Sequence, residues 1–350
     1  MNQRIAVIMA GGSGERFWPV STKTRPKQFL KLGDPTKTLI EQSVDRASAL
    51  TSSSQTYIAT ARHLAETSAK TCPQLPAKNI LAEPTKRNTA GALAWVAACL
   101  IAEFPETWAT TTVAVLTADH RISTQAQFES TAQSAMSAAE DQGAIITIGI
   151  RPDRPETGFG YIDCGDSSKD VHKVNKFTEK PDLETAEKFL ASGNFLWNSG
   201  MFFYTLPTFM SEMERHQPDI ARAIRKMAGE LAQSQFAEAD ATFESLPSIS
   251  IDYALMEKSD KVLVAEAEFI WDDLGAWDSI ARSYEPDNLK NVTLGNTNLL
   301  ESSGNVVYNE TSNQTVNILG VDNIAVVVTD DQILIIPKER AQEVKKFLNP

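Results

Sequence analysis

The stretch IAVIMAGGSGERFWPVSTKTRPKQFL, Ile5 to Leu30, decides how this chain is to be read. Ile5, Ala6, Val7 and Ile8 form an apolar run of the kind that becomes a buried parallel strand. The run enters Ala10-Gly11-Gly12-Ser13-Gly14, a loop almost without side chains, in which backbone N–H groups can close on a phosphate. Arg16 follows at once, with Arg25 and Lys27 soon after, so fixed cations stand beside an amide cradle. This combination points to a polyphosphate; the plainer reading is a tight strand-to-helix turn with surface cations. Two commoner glycine loops are excluded. A P-loop closes on Gly-Lys-Ser/Thr, whereas Gly14 precedes Glu15-Arg16. A dinucleotide fingerprint needs a third small residue where Phe17 stands.

At 350 residues the chain can bury one large core, or one core and a small annex. Its 42% hydrophobic and 22% charged content is ordinary for a soluble globular protein. No signal peptide is expected ahead of the first strand, and no apolar run is long enough to span a bilayer. Cys72, Cys99 and Cys164 are scattered without metal-ligand spacing, as reduced thiols in a cytoplasm would be. The expectation is a cytoplasmic protein with no membrane partner. The net charge of −12 argues against nucleic acid, which demands a broad basic face. In an acidic chain, cations gathered into one loop carry more meaning.

Apolar runs alternate with helical patterns over the first two-thirds, the α/β signature. Strands are expected at Ile5–Met9, Gln55–Thr60, Val113–Thr117, Ala144–Ile150 and Lys261–Ala265. Helices are expected at Leu39–Ala49, Thr89–Phe104, Phe128–Gln142, Leu183–Ser192, Phe209–Gln233 and Trp277–Ser283. The Thr89–Phe104 stretch is apolar nearly all round and reads as core. Pro286-Asp287-Asn288 marks a boundary, dividing the chain into 1–285 and 286–350. Short Val/Ile/Leu runs broken by Gly, Asn and Asp then predict a small all-β unit, a short β-solenoid, with a terminal helix over Lys338–Leu348.

LAEPTKRNTAGA, Leu81 to Ala92, holds Glu83 before a proline, which keeps its backbone extended. A carboxylate only accepts hydrogen bonds. Guanine offers a ring N–H beside an exocyclic amino group, and one carboxylate can take both. Glu83 is therefore a candidate guanine reader, the alternative being an exposed loop acid. Asn88 and Thr89 read from pattern alone as the cap of the next helix. VAVLTADH, Val113 to His120, is a strand ending at Asp119, where open α/β sheets bind ligands. A lone acid there suits a divalent cation, which takes its other ligands from phosphates and water. A second acid is Asp272 or Asp273 in FIWDDLGAW; His120 reads as a structural hydrogen-bonding residue. TGFGYI (Thr157–Ile162), FTEKP (Phe177–Pro181) and FLWNSGMFFY (Phe195–Tyr204) are expected at loops or strand edges. There Gly158 and Gly160 let a sugar ring approach, Glu179 and Asn198 meet hydroxyls, and Lys180 meets a phosphate.

AGGSGERFWPVS with RPKQFL, EPTKRNTA, TADH, TGFGYI, FTEKP, WNSGMF, SIDYALMEK and WDDLGAW, in this order over about residues 1–285, resemble the mannose-1-phosphate guanylyltransferases of the sugar-nucleotidyltransferase superfamily. GVDNIAVVVTDDQILII is similar to the short β-helical region of that family, and the isomerase module of longer relatives is expected to be lacking. Thr117 and Gly91 stand where many relatives have proline. The resemblance implies a Rossmann-like nucleotidyltransferase domain with a mixed, mainly parallel sheet. It implies a triphosphate under Ala10, Gly11, Gly12, Ser13 and Gly14, with Arg16 and Lys27 neutralising it. Glu83, Asn88 and Thr89 would serve the guanosine; Gly160, Glu179, Lys180 and Asn198 the mannose phosphate. Asp119 and Asp273 would hold Mg²⁺ (or Mn²⁺), Asp273 being preferred to Asp272 by the pattern W-x-D-x-G. The implied reaction joins GTP and mannose 1-phosphate into GDP-mannose with release of diphosphate, in a homo-oligomer, a dimer. The alternatives are guanylyl transfer to another sugar phosphate such as a heptose, a uridylyl- or thymidylyltransferase, and a regulatory homologue that binds GDP-mannose without making it.

Overall fold

A computed structural model describes residues 3–12, 14–168 and 170–348. Ser13, part of the expected phosphate loop, lies outside the described residues. Contacts divide the chain into two units. The first comprises the residues up to Gly11, Ser43–Thr117 and Ser123–Ile270; the second comprises Gly12–Gln42, Ala118–Ile122 and the residues from Trp271 onward.

The strands are β1 (Gln3–Met9), β2 (Thr56–Ala61), β3 (Ile80–Glu83), β4 (Thr111–Thr117), β5 (Arg121–Ser123), β6 (Ile145–Ile150), β7 (Tyr161–Ser168), β8 (Val171–Thr178), β9 (Phe195–Thr205), β10 (Val262–Glu266) and β11 (Ile270–Asp272). All but β5 and β11 form the nine-stranded sheet of the first unit, in the order β3-β2-β1-β4-β9-β6-β10-β8-β7. Ile5, Ala6, Val7 and Ile8 are fully buried in β1, paired in parallel with β2 and β4 on either side. The sheet is mixed. Its β3-β2-β1-β4 half is parallel, and β9 enters antiparallel to both β4 and β6. The expected mixed, mainly parallel sheet is present, since β6 and β10 also pair in parallel; β9, however, is a central strand and not the loop or strand edge expected of FLWNSGMFFY. Trp197, Met201, Phe202, Phe203 and Tyr204 are buried along it, a run that only an interior position can cover.

Helix Asn88–Glu103 is core as expected, with Ala90 to Ala98 and Leu100 buried. The single helix expected over Phe209–Gln233 is two, Leu206–His216 and Pro218–Ala232. Pro218 has no N–H to give and its ring clashes with the preceding turn, so it starts a helix instead of continuing one.

In the second unit, β12 (Val292–Leu294), β13 (Thr297–Leu300), β14 (Val306–Asn309), β15 (Val316–Leu319) and β16 (Ile324–Val328) form successive rungs, and β17 (Ile333–Pro337) pairs antiparallel with β16. β12, β14 and β16 pair in parallel, with Val292 on Val306 and Val306 on Ala325, while β13 and β15 form a second parallel ladder. This is the expected short β-solenoid. The tail Lys338–Phe347 is 3₁₀ and not α-helical. The second unit also does not follow a linear division at 285/286. Its hydrophobic core draws Phe17, Val20, Leu30, Leu32 and Leu39 from the N-terminal stretch against Trp277, Val306, Ala325 and Val344. Burial of apolar surface groups these distant segments together.

Candidate active site

In the second unit, the glycine loop closes onto the RPK segment. Gly14 has φ +61°, and a Cβ there would lie 2.4 Å from Cβ and 2.7 Å from N of Lys27, so no other residue fits. The backbone then makes a 3₁₀ turn, Glu15–Phe17, anchored by the fully buried Phe17. The N–H groups of Gly11, Gly12 and Gly14 donate to no acceptor among the described residues, so they are available to a ligand.

Beside this turn is a cavity of about 360 Å³ lined by Gly14, Arg16, Lys27, Asp119, Asp273 and Lys345, with Glu15 and His120 also on its wall. Lys27 is buried, and its Nζ donates to Asp119 Oδ2 at 3.0 Å and to the Asp273 backbone carbonyl. Burial is the largest single influence on the Asp119 carboxyl and works to raise it, but the Lys27 ammonium, His120 and the hydrogen bonds together hold the group below its ordinary value, ionised at neutral pH. Arg16 is exposed and has no partner among the described residues, so its guanidinium is open to an anion. Arg25, counted with these cations from sequence, is not on the cavity wall; its guanidinium pairs with Glu310 at 2.6 Å.

The two acids of FIWDDLGAW separate clearly. Asp272 accepts from the Leu274 N–H at 2.7 Å and faces Arg282 at 3.6 Å, whereas Asp273 is on the cavity wall. His120 Nδ1 accepts from Trp271 Nε1 at 3.1 Å, the structural bond expected of it. Among the described residues no three His, Cys, Asp or Glu side chains converge as a metal cage. Two carboxylates on one cavity, both hard oxygen donors, nevertheless fit Mg²⁺, which takes one or two carboxylates and completes its shell from phosphates and water.

In the first unit, Glu83 is the last residue of β3 and is 8% exposed. No described residue bonds to its carboxylate, and its Oε1 is 3.9 Å from where a Cβ on Gly11 would sit. Burial pushes its carboxyl up to about 7. The reading of Asn88 and Thr89 as a helix cap does not hold. The N-cap is Arg87 without a side-chain bond, Asn88 sits at φ +58° accepting from the adjacent Thr89 N–H at 2.8 Å, and the Thr89 hydroxyl accepts from Ile251 N at 2.8 Å. A left-handed Asn88 cannot direct its side chain at the amides two or three residues on, where a cap must reach.

Gly160, Glu179, Lys180 and Asn198 converge because β7 lies between β8 and β9. Tyr161 is paired with Thr178 on one side and Trp197 on the other. A Cβ on Gly160 would lie 2.7 Å from Glu179 Oε2, so the glycine keeps space for that carboxylate. Glu179 pairs with the exposed Lys180 at 2.6 Å. Asn198 is held by a bulge in β9, where the register with β6 shifts between Thr147 and Gly149 and Gly200 takes φ +71°. Its Oδ1 accepts from Thr147 Oγ1 at 2.9 Å and Gly200 N at 3.1 Å, which fixes Nδ2 as the outward donor.

That donor reaches Asp252 Oδ1 at 3.2 Å. Asp252 is a site residue to which sequence reasoning assigned no role; the available signal was its place in SIDYALMEK. Burial pushes its carboxyl up to about 6, and the neighbouring Glu179 charge adds to the rise.

Residues 5–287 match the Nucleotidyl transferase family, and residues 295–349 match the MannoseP isomerase/GMP-like beta-helix domain. This chain belongs to the nucleotidyl transferases. It is 36% identical over 346 residues to the mannose-1-phosphate guanylyltransferase of Sinorhizobium fredii, with 97% of this chain aligned to 66% of that protein. It is 36% identical to the xanthan biosynthesis protein XanB of Xanthomonas campestris, with 100% of this chain aligned to 73% of that one. The crystal structure of mannose-1-phosphate geranyltransferase from Thermus thermophilus superposes with a TM-score of 0.89 at 33% identity, covering 99% of this chain and 98% of that chain. Among the described residues no helix is long and apolar enough to cross a membrane.

Proposed function

We propose that this chain is a mannose-1-phosphate guanylyltransferase, which converts GTP and α-D-mannose 1-phosphate into GDP-mannose and diphosphate. The observation that carries the reading is the cavity beside the glycine loop, where open amides, Arg16 and Lys27 stand with the carboxylates of Asp119 and Asp273. The names of the relatives supply the sugar and the nucleotide.

The sugar phosphate oxygen attacks the α-phosphorus of GTP in line, one P–O bond forms, and the bond to the diphosphate breaks. A phosphate monoester is already anionic near pH 7, so no general base is required. The barrier is the meeting of two anions, and positioning with charge neutralisation lowers it. Arg16, Lys27 and the glycine-loop amides Gly11, Gly12 and Gly14 hold the triphosphate, and Lys180 holds the sugar phosphate. Glu83 takes the guanine N–H pair. Glu179 and Asn198 meet the sugar hydroxyls beside Gly160. Asp119 and Asp273 would hold Mg²⁺, which would neutralise charge on the phosphates. Asn88 and Thr89 stay with the nucleoside in this reading. A cytoplasmic homo-dimer belongs to it as well; register partners Leu300 and Leu319, 64% and 66% exposed, support an apolar interface on the solenoid.

The test is a matrix of nucleotides and sugar 1-phosphates, read as diphosphate release with and without divalent metal. GTP with mannose 1-phosphate is expected to exceed UTP, dTTP and ATP by about a hundredfold or more, since a carboxylate repels the carbonyls of uracil and thymine and the N1 lone pair of adenine. EDTA is expected to abolish release and Mg²⁺ to restore it. Faster release from UTP, or from a heptose phosphate, would replace this reading, and tight GDP-mannose binding without turnover would favour a regulatory homologue.

Asp252 has a positioning role in the same reading, because it aims the Asn198 amide. Asp252→Ala is expected to raise KM for mannose 1-phosphate about tenfold while leaving KM for GTP in place. Asp252→Asn, which keeps an acceptor for Asn198 Nδ2, recovers most of the loss. Equal shifts in both KM values would mean general damage and not positioning.

A further inference from the structure

The cavity wall includes a cation from the far end of the chain. Lys345 lies on the 3₁₀ segment Lys338–Phe347. That segment is fastened within the second unit at several points. Ala341 and Val344 are each 1% exposed in the cluster that contains Phe17 and Trp277, and Phe347 stacks on Trp18 with centroids 5.2 Å apart at 17°. The turn that carries Arg16 is therefore backed by the segment that carries Lys345. The charges along the segment are sorted. Glu343 takes both Arg340, at 2.9 Å, and Lys346, at 2.6 Å. The Lys345 ammonium has no hydrogen bond or ion pair among the described residues. An acidic chain of net charge −12 thus leaves two cations, Arg16 and Lys345, unpaired on one cavity, while the third, Lys27, is tied to Asp119 and the Asp273 carbonyl.

We propose that Lys345 is a phosphate-binding residue and, with Arg16, holds the β,γ-diphosphate of the nucleoside triphosphate, the portion that leaves. The inference rests on the function proposed above. Lys27 is tied to the Asp119 carboxylate and to the backbone carbonyl of Asp273, the two candidate metal residues, and so belongs to the reacting end. The unpaired, exposed cations are left for the end with the greatest charge, which must also depart to solvent. An exposed ammonium makes a labile contact of this kind better than a buried one. The solenoid unit would then take part in substrate binding through its final segment.

The test uses the full chain with Lys345→Ala, Lys345→Glu and Lys345→Arg, assayed in both directions. Forward, KM for GTP is expected to rise about tenfold in the Ala variant and further in the Glu variant. In reverse, KM for diphosphate rises in parallel, while KM for GDP-mannose, which keeps only the α-phosphate of GTP, stays at the wild-type value. Lys345→Arg restores most of the affinity. The melting temperature stays unchanged, because the ammonium makes no hydrogen bond or ion pair among the described residues. Wild-type KM values for GTP and diphosphate in Lys345→Ala would overturn the proposal, as would equal shifts for all four reactants. Calorimetric titration with inorganic diphosphate alone separates the two inferences. Weaker binding to Lys345→Ala supports the role of Lys345 even if the wild-type chain turns over no nucleotide–sugar pair, and that second result would refute only the proposed function.

Discussion

Arg16→Ala is expected to lower turnover of GTP with mannose 1-phosphate by about a hundred- to a thousandfold, the cost of one preorganised donor at developing charge, roughly 3–4 kcal/mol. The melting temperature is expected to stay within a degree or two, because the guanidinium has no partner among the described residues. Lys27→Ala makes the contrast. It also removes a cation from the phosphates, but it strips Asp119 of its ion pair, 3.0 Å long, in a place where Lys27 is 4% exposed. The Asp119 side chain left behind is 33% exposed, so losing its partner costs about 1–3 kcal/mol, and this variant should lose both turnover and some thermal stability. Parallel thermal denaturation and steady-state kinetics on the two variants separate the roles. Near wild-type turnover in Arg16→Ala would remove Arg16 from the mechanism.

Glu83→Gln is expected to erase the preference for guanine and to gain stability at alkaline pH. The amide presents one acceptor and one donor to a base edge that has two donors, so KM for GTP should rise by roughly a hundredfold. The pH dependence follows from a carboxyl pushed up to about 7 by burial. The form that accepts from guanine is the ionised one, about a tenth of the population at pH 6 and about nine-tenths at pH 8. Wild-type GTP affinity should therefore increase about tenfold over that interval and level off above it, and the variant should show no such rise. Stability runs the opposite way. A carboxyl whose folded value is raised holds its proton more tightly in the fold, so stability falls as pH climbs from the ordinary value of 4.5 to about 7. The loss at pH 8 is on the order of 3 kcal/mol for a group that is 8% exposed. Glu83→Gln should be more resistant to urea than wild type at pH 8, with the difference vanishing below about pH 4.5. A flat GTP affinity from pH 6 to 8 in the wild type would exclude Glu83 as the base reader.

Local signals were legible where one segment contains its own reason. β1 ends in the glycine loop because an apolar run and a side-chain-free turn are adjacent in sequence, and Asp119 lies just beyond β4 for the same kind of reason. The helix Asn88–Glu103 announced its burial by being apolar on every face. Signals that depend on a partner were misread. FLWNSGMFFY became the central strand β9 because β4 and β6 flank it, which its own pattern does not reveal. The break at Pro218 was local and could have been read from the proline. Arg25 looked equivalent to Arg16 along the chain, and only the fold set Glu310 against it.

The order and kind of the chemical groups came from the amino-acid sequence by itself: a phosphate-sized amide loop, cations after it, an acid at a strand end, and an ordered set of motifs that resembled one family. Tertiary structure alone decided which of those groups share a wall. It set Asp273 on the cavity and turned Asp272 toward Arg282. It brought Asp252 to the Asn198 amide and carried Lys345 to the cavity of Arg16. The physical reason is that burial of apolar surface has no direction along the chain. It collects Phe17, Trp277 and Val344 into one core, and the charged neighbours of each follow to a common surface.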